Sequence, residues 1–379
     1  MPLTAGQVAA HRRPCSRRRV QFLATAGRRG SADTPVITLV APERVAGPRI
    51  TPDAEQQRAV DHAATAGAGP LLILAGPGTG KTATLVEAVA ARIEAGTPAD
   101  RILVLTFSRK AAQELRDRIA TRLGPDQLGA TAWTFHAFCF ALVGDATQDF
   151  EWGAPRRTLL TNPEQDAVIR ELLQGHVEDD APTVQWPKQW QAALNTAGFA
   201  AEIRTIFQRA RTLGLAPHEL MAIAQQQGRD AWVSVANALE EYLDVLDHKN
   251  EIDYTEMVTR AVIFAQSSRG QADLRQRYDA VFVDEFQDTD PAQERLLQAI
   301  AGGGRDLIAV GDPDQSIYAF RGADVKGIVE FPVRFPQADG SEAAVVALRT
   351  CRRSGEGLVN LAVSVAAKFS SKATCRTFE

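Results

Sequence analysis

A glycine-rich segment near residue 80 has the residue types of a phosphate-binding loop. It follows an apolar run, precedes a helix-forming stretch and reads Ala75-Gly76-Pro77-Gly78-Thr79-Gly80-Lys81-Thr82. Glycines let backbone N–H groups turn toward phosphate oxygens, and the start of a helix adds a partial positive charge. In such a loop Lys81 reaches the β- and γ-phosphates, and Thr82 is a ligand of Mg²⁺. An ordinary glycine-rich turn does not account for this context, so the segment predicts a nucleotide site.

Two adjacent carboxylates, Asp284 and Glu285, follow another apolar run at residues 281–283. Phosphoryl transfer needs an acid that holds the metal ion, and hydrolysis also needs a base that activates water. The position of Asp284 at the strand end suits the Mg²⁺ ligand, and Glu285 suits the base. Two acids at a strand end also occur as a solvated cap. The phosphate-binding loop in the same chain favours the catalytic interpretation.

The elements that must position these residues form an alternating pattern. Near-continuous apolar runs predict five strands of a parallel sheet buried on both faces, at residues 71–75, 102–107, 280–284, 307–311 and 344–348. Most of them lead through Gly, Pro or Asp into helix-forming stretches. This pattern predicts an α/β fold, with a parallel sheet and helices on both of its faces.

Residues 145–277 interrupt this pattern. They show no convincing strand, and prolines divide them into helix-length pieces. Their tryptophans and tyrosines stand among apolar positions, which is typical of core packing. We therefore expect an all-helical subdomain inserted into the α/β domain.

Composition excludes several classes of protein. The chain has 379 residues, 45% of them hydrophobic, which predicts two or three soluble domains. No apolar stretch approaches the roughly 20 residues of a membrane helix, so no membrane partner is expected. Four scattered cysteines argue against a zinc site, an iron–sulfur cluster or a disulfide framework, and they fit a reducing cytoplasm. They are Cys15, Cys139, Cys351 and Cys375.

Basic charge is concentrated at the start of the chain. Residues 1–45 contain eight arginines and two acidic residues, so the rest of this chain of net charge −4 is acidic. Residues 1–48 are expected to be a disordered leader, although an arm that contacts DNA phosphates is an alternative. A twin-arginine export signal is rejected because no apolar region follows the arginines. Any nucleic-acid partner must then bind a local groove.

Longer motifs carry a resemblance to a known family. Phe286-Gln287-Asp288-Thr289 and residues 311–323 resemble motifs II and III of superfamily I DNA helicases of the UvrD/PcrA/Rep type. Further similar motifs follow in the family's order: the Q motif (51–60), motif Ia (106–115), T-F-H (134–136) and motif IV (348–354). The resemblance covers about residues 50–355. The leader and composition also resemble actinobacterial AdnAB-type subunits, without a recognisable nuclease domain.

The resemblance implies roles for individual residues. Gln56 would read the adenine edge, Gln315 would couple the γ-phosphate to the DNA groove, and Arg353 would be an arginine finger. Arg352 stands where the family commonly has an aromatic residue that stacks on adenine. ATP would be bound by Gln56, Gly76, Pro77, Gly78, Thr79, Gly80, Lys81 and Thr82, and Mg²⁺ by Thr82 and Asp284. Single-stranded DNA would contact Phe107, His136, Phe320 and Arg321.

For two of the proposed DNA contacts, a purely structural role is the alternative. Phe107 ends an apolar strand and could belong to the core, and His136 could be a structural histidine. Their positions inside the motifs favour the DNA-binding interpretation.

The resemblance also implies a domain plan and an activity. Residues 49–144 and 278–340 would form a RecA-like P-loop NTPase domain, and residues 145–277 its helical insertion. Residues 341–379 would begin a second RecA-like domain that is truncated. A partner protein could supply the missing domain. The implied activity is ATP-driven 3′ to 5′ translocation on single-stranded DNA, with 3′-tailed duplex as substrate. The alternative is a nucleotide-dependent DNA-binding or assembly module without unwinding activity.

Overall fold

The apolar runs form strands of a parallel sheet in the computed structural model, which describes residues 51–124, 130–149, 157–316 and 325–369. The leader, Phe320 and Arg321 lie outside these residues. The strands within these ranges are β1 (Leu71–Ala75), β2 (Ile102–Thr106), β3 (Thr131–Thr134), β4 (Thr158–Leu160), β5 (Glu251–Asp253), β6 (Ala280–Val283), β7 (Asp306–Gly311) and β8 (Ala344–Leu348). Six of them form one sheet in the order β3-β2-β6-β7-β1-β8, with every neighbouring pair parallel.

Helices connect and cover these strands. They are α1 (Ala54–Ala64), α2 (Lys81–Glu94), α3 (Arg109–Leu123), α4 (Phe135–Asp149), α5 (Asn162–Glu178), α6 (Ala197–Thr212), α7 (Pro217–Gln226), α8 (Asp230–His248), α9 (Tyr254–Gln266), α10 (Ser268–Arg277), α11 (Pro291–Ala301), α12 (Val325–Arg334) and α13 (Glu356–Phe369). None of those within the described ranges is long and apolar enough to cross a membrane.

Each face of the sheet packs on its own hydrophobic cluster. Successive strand residues point to opposite faces. Leu72 and Val281 accordingly belong to a cluster with α4, α9, α11 and α12, whereas Ile73 and Phe282 belong to a cluster with α1, α2 and α3. The predicted α/β fold, with helices on both faces of a parallel sheet, is confirmed.

Three short strands were not expected from the sequence. β3 lies at one edge of the sheet, and its four residues alternate between buried and partly exposed positions instead of forming an apolar run. β4 and β5 pair with each other in parallel inside the stretch without a predicted strand. Each has three residues, which is too short for a periodic pattern to show.

The predicted domain boundaries and the observed packing differ at two places. The sequence places residues 341–379 at the start of a second domain, whereas β8 pairs with β1 over five residues and forms the other edge of the same sheet. α9 and α10 fall inside the predicted insertion, but their buried side chains join the cluster of α4 and α11. A separate cluster, from Leu160 to Leu246, forms the core of the remaining inserted helices. An apolar pattern identifies a strand or helix, but it does not identify its packing partner.

Candidate active site

The phosphate-binding loop connects β1 to the start of α2. Gly78 and Gly80 adopt left-handed backbone angles, with φ of 79° and 93°. A Cβ atom on Gly78 would lie 2.6 Å from the Cβ of Arg353, and one on Gly80 would lie 2.7 Å from Nε2 of Gln56. Both positions therefore require glycine for conformation and for space. The fully buried Thr79 donates its hydroxyl hydrogen to the Gly76 carbonyl at 2.8 Å, which closes the loop.

Side chains from three neighbouring strand ends meet at this loop. Nζ of Lys81 lies 2.9 Å from Oε2 of Glu285 and 3.5 Å from Oε1 of Gln315. These side chains lie close together because β6, β7 and β1 are adjacent parallel strands, so their carboxyl ends lie at the same end of the sheet. The structure thus brings together the predicted phosphate-binding lysine, base and coupling glutamine.

Two further residues close a ring of hydrogen bonds with these three. Nε2 of Gln287 donates to Oε2 of Glu285 at 2.8 Å, and Oε1 of Gln287 accepts from the backbone N–H of Asp312 at 2.9 Å. Nε2 of Gln315 then donates to Oδ2 of Asp312 at 2.6 Å. Gln287 and Asp312 are buried. Neither was singled out as a site residue from the sequence, although both lie in the motifs that carry the resemblance.

Glu285 and Asp284 differ in backbone and in environment. Glu285 has left-handed backbone angles, φ 54° and ψ 46°, which are uncommon for a residue with a side chain. Asp284 is buried, and this burial together with the neighbouring Glu285 raises its pKa to about 7, against the opposing charge of Lys81. Asp284 therefore binds a proton more readily than an ordinary aspartate, despite the positive charge of Lys81.

The oxygen atoms near the loop suit Mg²⁺. Thr82 is the second residue of α2, and Asp284 follows β6, so a hydroxyl and a carboxylate are available as hard donors. A divalent cation would also favour the ionised form of the Asp284 carboxyl. Within the described ranges no group of three or more His, Cys, Asp or Glu side chains could hold a metal ion. Mg²⁺ commonly takes its other ligands from water and substrate phosphates.

Gln56 reaches the phosphate-binding loop from the start of α1. It forms a capping box with Asp53, in which each side chain accepts the other's backbone N–H at 3.1 and 2.8 Å. Its Nε2 also donates to the Thr79 carbonyl at 3.2 Å. Arg353 is exposed, beside Gly78. The predicted adenine reader and arginine finger therefore both lie beside residues 78–80 of this loop.

Two predicted DNA contacts follow the carboxyl ends of β2 and β3, the strands that lie beyond β6 in the sheet. Phe107 follows β2, and His136 is the second residue of α4, which begins directly after β3; Thr106 pairs with Thr134 at the ends of these strands. The ring of His136 packs edge-on against Tyr254 at 5.5 Å between centroids. Burial lowers the pKa of His136, although the nearby Asp290 carboxylate raises it in part. Phe320 and Arg321 lie outside the described residues.

The family model and the relatives that match this chain point to the same family. Residues 53–336 match the family described as UvrD/REP helicase N-terminal domain. DNA helicase II of Escherichia coli (strain K12) is 30% identical over 279 residues, which are 71% of this chain and 35% of that protein. ATP-dependent DNA helicase UvrD1 of Mycobacterium bovis is 29% identical over 323 residues, 83% of this chain and 39% of that protein.

A third relative agrees with these two. ATP-dependent DNA helicase PcrA of Staphylococcus epidermidis is 28% identical over 301 residues, which are 78% of this chain and 38% of that protein. The chain thus spans between about a third and two fifths of the length of the relatives that it matches.

Proposed function

The chain belongs to the UvrD/REP helicase N-terminal domain family, and from that premise we propose that it binds ATP with Mg²⁺ and hydrolyses ATP as part of a DNA helicase. The observation that carries the proposal is the ring that joins Lys81, Glu285 and Gln315 across three strand ends. Its hydrogen bonds link the residues that we propose as the phosphate-binding cation, the base and the polar sensor. Such a group is suited to phosphoryl transfer to water.

The chemistry of the site follows from its charges. The phosphates of ATP replace Glu285 as the partner of Lys81, and Gln56 binds the adenine edge. Glu285, held by Nε2 of Gln287, then accepts a proton from the attacking water. Arg353 offsets the charge that develops on the γ-phosphate. Thr82 and Asp284 would hold Mg²⁺, which when bound supplies charge neutralisation at the phosphate oxygens.

The DNA substrate is proposed to bind at the carboxyl ends of the strands, beyond the ATP site. Phe107 and His136 offer ring faces for base stacking, and Phe320 and Arg321 are proposed to extend this surface. Gln315 hydrogen-bonds both Lys81 and Asp312, so a change at the γ-phosphate alters its contacts. We propose 3′ to 5′ translocation on single-stranded DNA, with 3′-tailed duplex as the substrate for strand separation in DNA repair or recombination.

We propose that a second RecA-like domain, supplied by a partner protein, acts together with this one. ATP would close the two domains on each other, and hydrolysis would reopen them.

The test is steady-state ATP hydrolysis by the chain, with and without oligo-dT, beside a Glu285→Gln variant. DNA-stimulated hydrolysis that is lost in the variant would support the proposal. Equal hydrolysis by the variant would refute the assignment of the base. ATP binding without hydrolysis would favour the alternative, a nucleotide-dependent DNA-binding or assembly module. An unwinding assay on 3′-tailed and 5′-tailed duplexes then tests the polarity.

A further inference from the structure

The residues that follow β8 lie along the phosphate-binding loop. The thiol of Cys351 donates to the Pro77 carbonyl at 3.4 Å, and the backbone N–H of Arg352 donates to the Gly78 carbonyl at 2.9 Å. Consecutive residues of this segment thus contact consecutive residues of the loop. We call residues 351–353 the loop strap.

The side chain of Arg352 extends this contact beyond the loop. One of its guanidinium nitrogens donates to the Thr79 carbonyl at 3.3 Å, and another lies 2.6 Å from Oδ2 of Asp53. Burial would raise the pKa of Asp53, but the Gln56 N–H and the Arg352 guanidinium hold it below its ordinary value. Arg352 therefore bridges two separate elements, the phosphate-binding loop and the beginning of α1.

Both ends of this bridge touch the proposed nucleotide site. The Thr79 carbonyl accepts hydrogen bonds from Gln56 as well as from Arg352. Arg353, the next residue of the strap, lies so close to Gly78 that a Cβ there would have no room. A displacement of Arg352 therefore moves Arg353 relative to the phosphate-binding loop.

We infer that Arg352 is a positioning residue, whose bridge between Asp53 and the Thr79 carbonyl holds the loop strap on the phosphate-binding loop and thereby places Arg353. The role of Arg353 in hydrolysis rests on the proposed function, whereas the bridge itself does not. A planar guanidinium offers several donors in a fixed fork, so it spans a carboxylate and a carbonyl together. A lysine ammonium in its place provides the charge without this fork.

The bridge is also sensitive to salt. The side chain of Arg352 is 42% exposed and that of Asp53 is 21% exposed, so dissolved ions reach the pair. The screening length falls from about 10 Å at 0.1 M salt to about 3 Å at 1 M salt. The strap should therefore be held less firmly at high ionic strength.

The first test uses the thiol of Cys351 as a reporter and needs no nucleotide. The rate of its modification by N-ethylmaleimide is measured on the Cys351 peptide by mass spectrometry, for the full chain and its variants. Arg352→Ala and Asp53→Asn should raise the rate about two- to five-fold, the range that a partly exposed ion pair supports. Asn keeps the cap of α1, so Asp53→Asn removes mainly the charge.

Controls for this test come from the same segment. Arg349→Ala removes an exposed arginine from outside the strap and should leave the rate unchanged. Raising the salt concentration should accelerate modification in the wild type but not in Arg352→Ala. Equal rates in the wild type, Arg352→Ala and Asp53→Asn would overturn the inference, whether or not the chain binds ATP.

The second test separates positioning from general damage to the site. Arg352→Ala should lower kcat for ATP more than it raises KM, because Arg353 acts on the transition state. Arg352→Lys should recover little of this loss, since it restores the charge without the fork. Full recovery by lysine would contradict the bridge. If the wild-type chain binds no ATP, the proposed function is refuted. The rate of Cys351 modification then still tests whether Arg352 holds the loop strap in place.

Discussion

The Lys81 ammonium lies 2.9 Å from Oε2 of Glu285, so the proposed phosphate-binding cation and the proposed base are paired with each other. The side chain of Lys81 is 11% exposed and that of Glu285 is 35% exposed, which leaves the carboxylate as the accessible partner. The phosphates of ATP must compete with Glu285 for this lysine. Under the proposed function, ATP binding would free the proposed base from its counter-ion.

This competition predicts that Glu285→Gln binds ATP more tightly than the wild type does. A neutral amide competes less well for Lys81, and a partly exposed ion pair is worth up to about 1 kcal/mol, so the gain in affinity is at most about five-fold. Equilibrium binding of ATP·Mg²⁺ by calorimetry measures it. Lys81→Ala is the matched control and should lose most of the binding. Weaker binding by Glu285→Gln would contradict the competition.

Gln287 is predicted to matter for hydrolysis more than for ATP affinity. Gln287→Ala removes the donor that holds Glu285 and the acceptor of the buried Asp312 N–H. Misplacement of the base should lower kcat about 10- to 100-fold, and the unmatched N–H should lower the free energy of unfolding by about 1–3 kcal/mol. ATP hydrolysis and urea unfolding measure the two effects. Gln298→Ala, an exposed residue of α11, should change neither.

The sequence allowed the elements of this site to be predicted better than their connections. Lys81 and Glu285 lie in short motifs at strand ends, and strands that end together bring such residues together. The link from Gln287 to Asp312 joins residues 25 positions apart through the turns after β6 and β7. The pattern of apolar residues along the sequence does not predict how those two turns approach each other.

Sheet edges were harder to predict for a related reason. β3 has one exposed and one partly exposed residue among its four, so it lacks the continuous apolar run that marks a strand buried on both faces. β8 was recognised as a strand, but its pairing with β1 depends on how residues 325–343 return to the sheet. Tertiary packing decides such pairings, and the local sequence does not.

Removing one partner of a buried ion pair at the amino-terminal end of β7 should strongly destabilise the α/β domain. Arg92 and Asp306 are paired at 2.7 Å with 3% and 5% of their side chains exposed, and Asp306 also accepts the backbone N–H groups of Gly67 and Gly69. Asp306→Ala leaves the guanidinium buried without its counter-ion. It should lower the free energy of unfolding by about 3–5 kcal/mol.

A second ion pair of the same chemistry provides the control for this prediction. Arg101 and Asp279 are paired at 2.5 Å, but 41% and 36% of their side chains are exposed. Asp279→Ala should therefore lower the free energy of unfolding much less than Asp306→Ala does. Urea unfolding of both variants measures the difference. Similar losses in the two variants would mean that burial is not what makes the Arg92–Asp306 pair important.

His136 should make the stability of the chain depend on pH on the acid side of neutrality. Burial lowers its pKa in the folded protein from the ordinary value of 6.5. The unfolded chain then binds the proton more readily than the folded one, so stability falls as the pH drops through 6.5 toward the lowered pKa. The contribution of a single proton is at most about 1.4 kcal/mol for each pH unit.

His136→Phe tests this contribution, because a phenylalanine ring can keep the edge-on contact with Tyr254 and does not titrate. Urea unfolding at pH 7.0 and pH 5.5 should show a smaller loss on acidification in the variant than in the wild type. Asp290→Asn should enlarge the loss, because it removes the carboxylate that raises the pKa of His136 while an asparagine still caps α11. The raised pKa of Asp290 acts in the same direction, since its proton uptake favours the folded wild type in acid. An equal loss in the wild type and His136→Phe would show that the histidine does not carry this pH dependence.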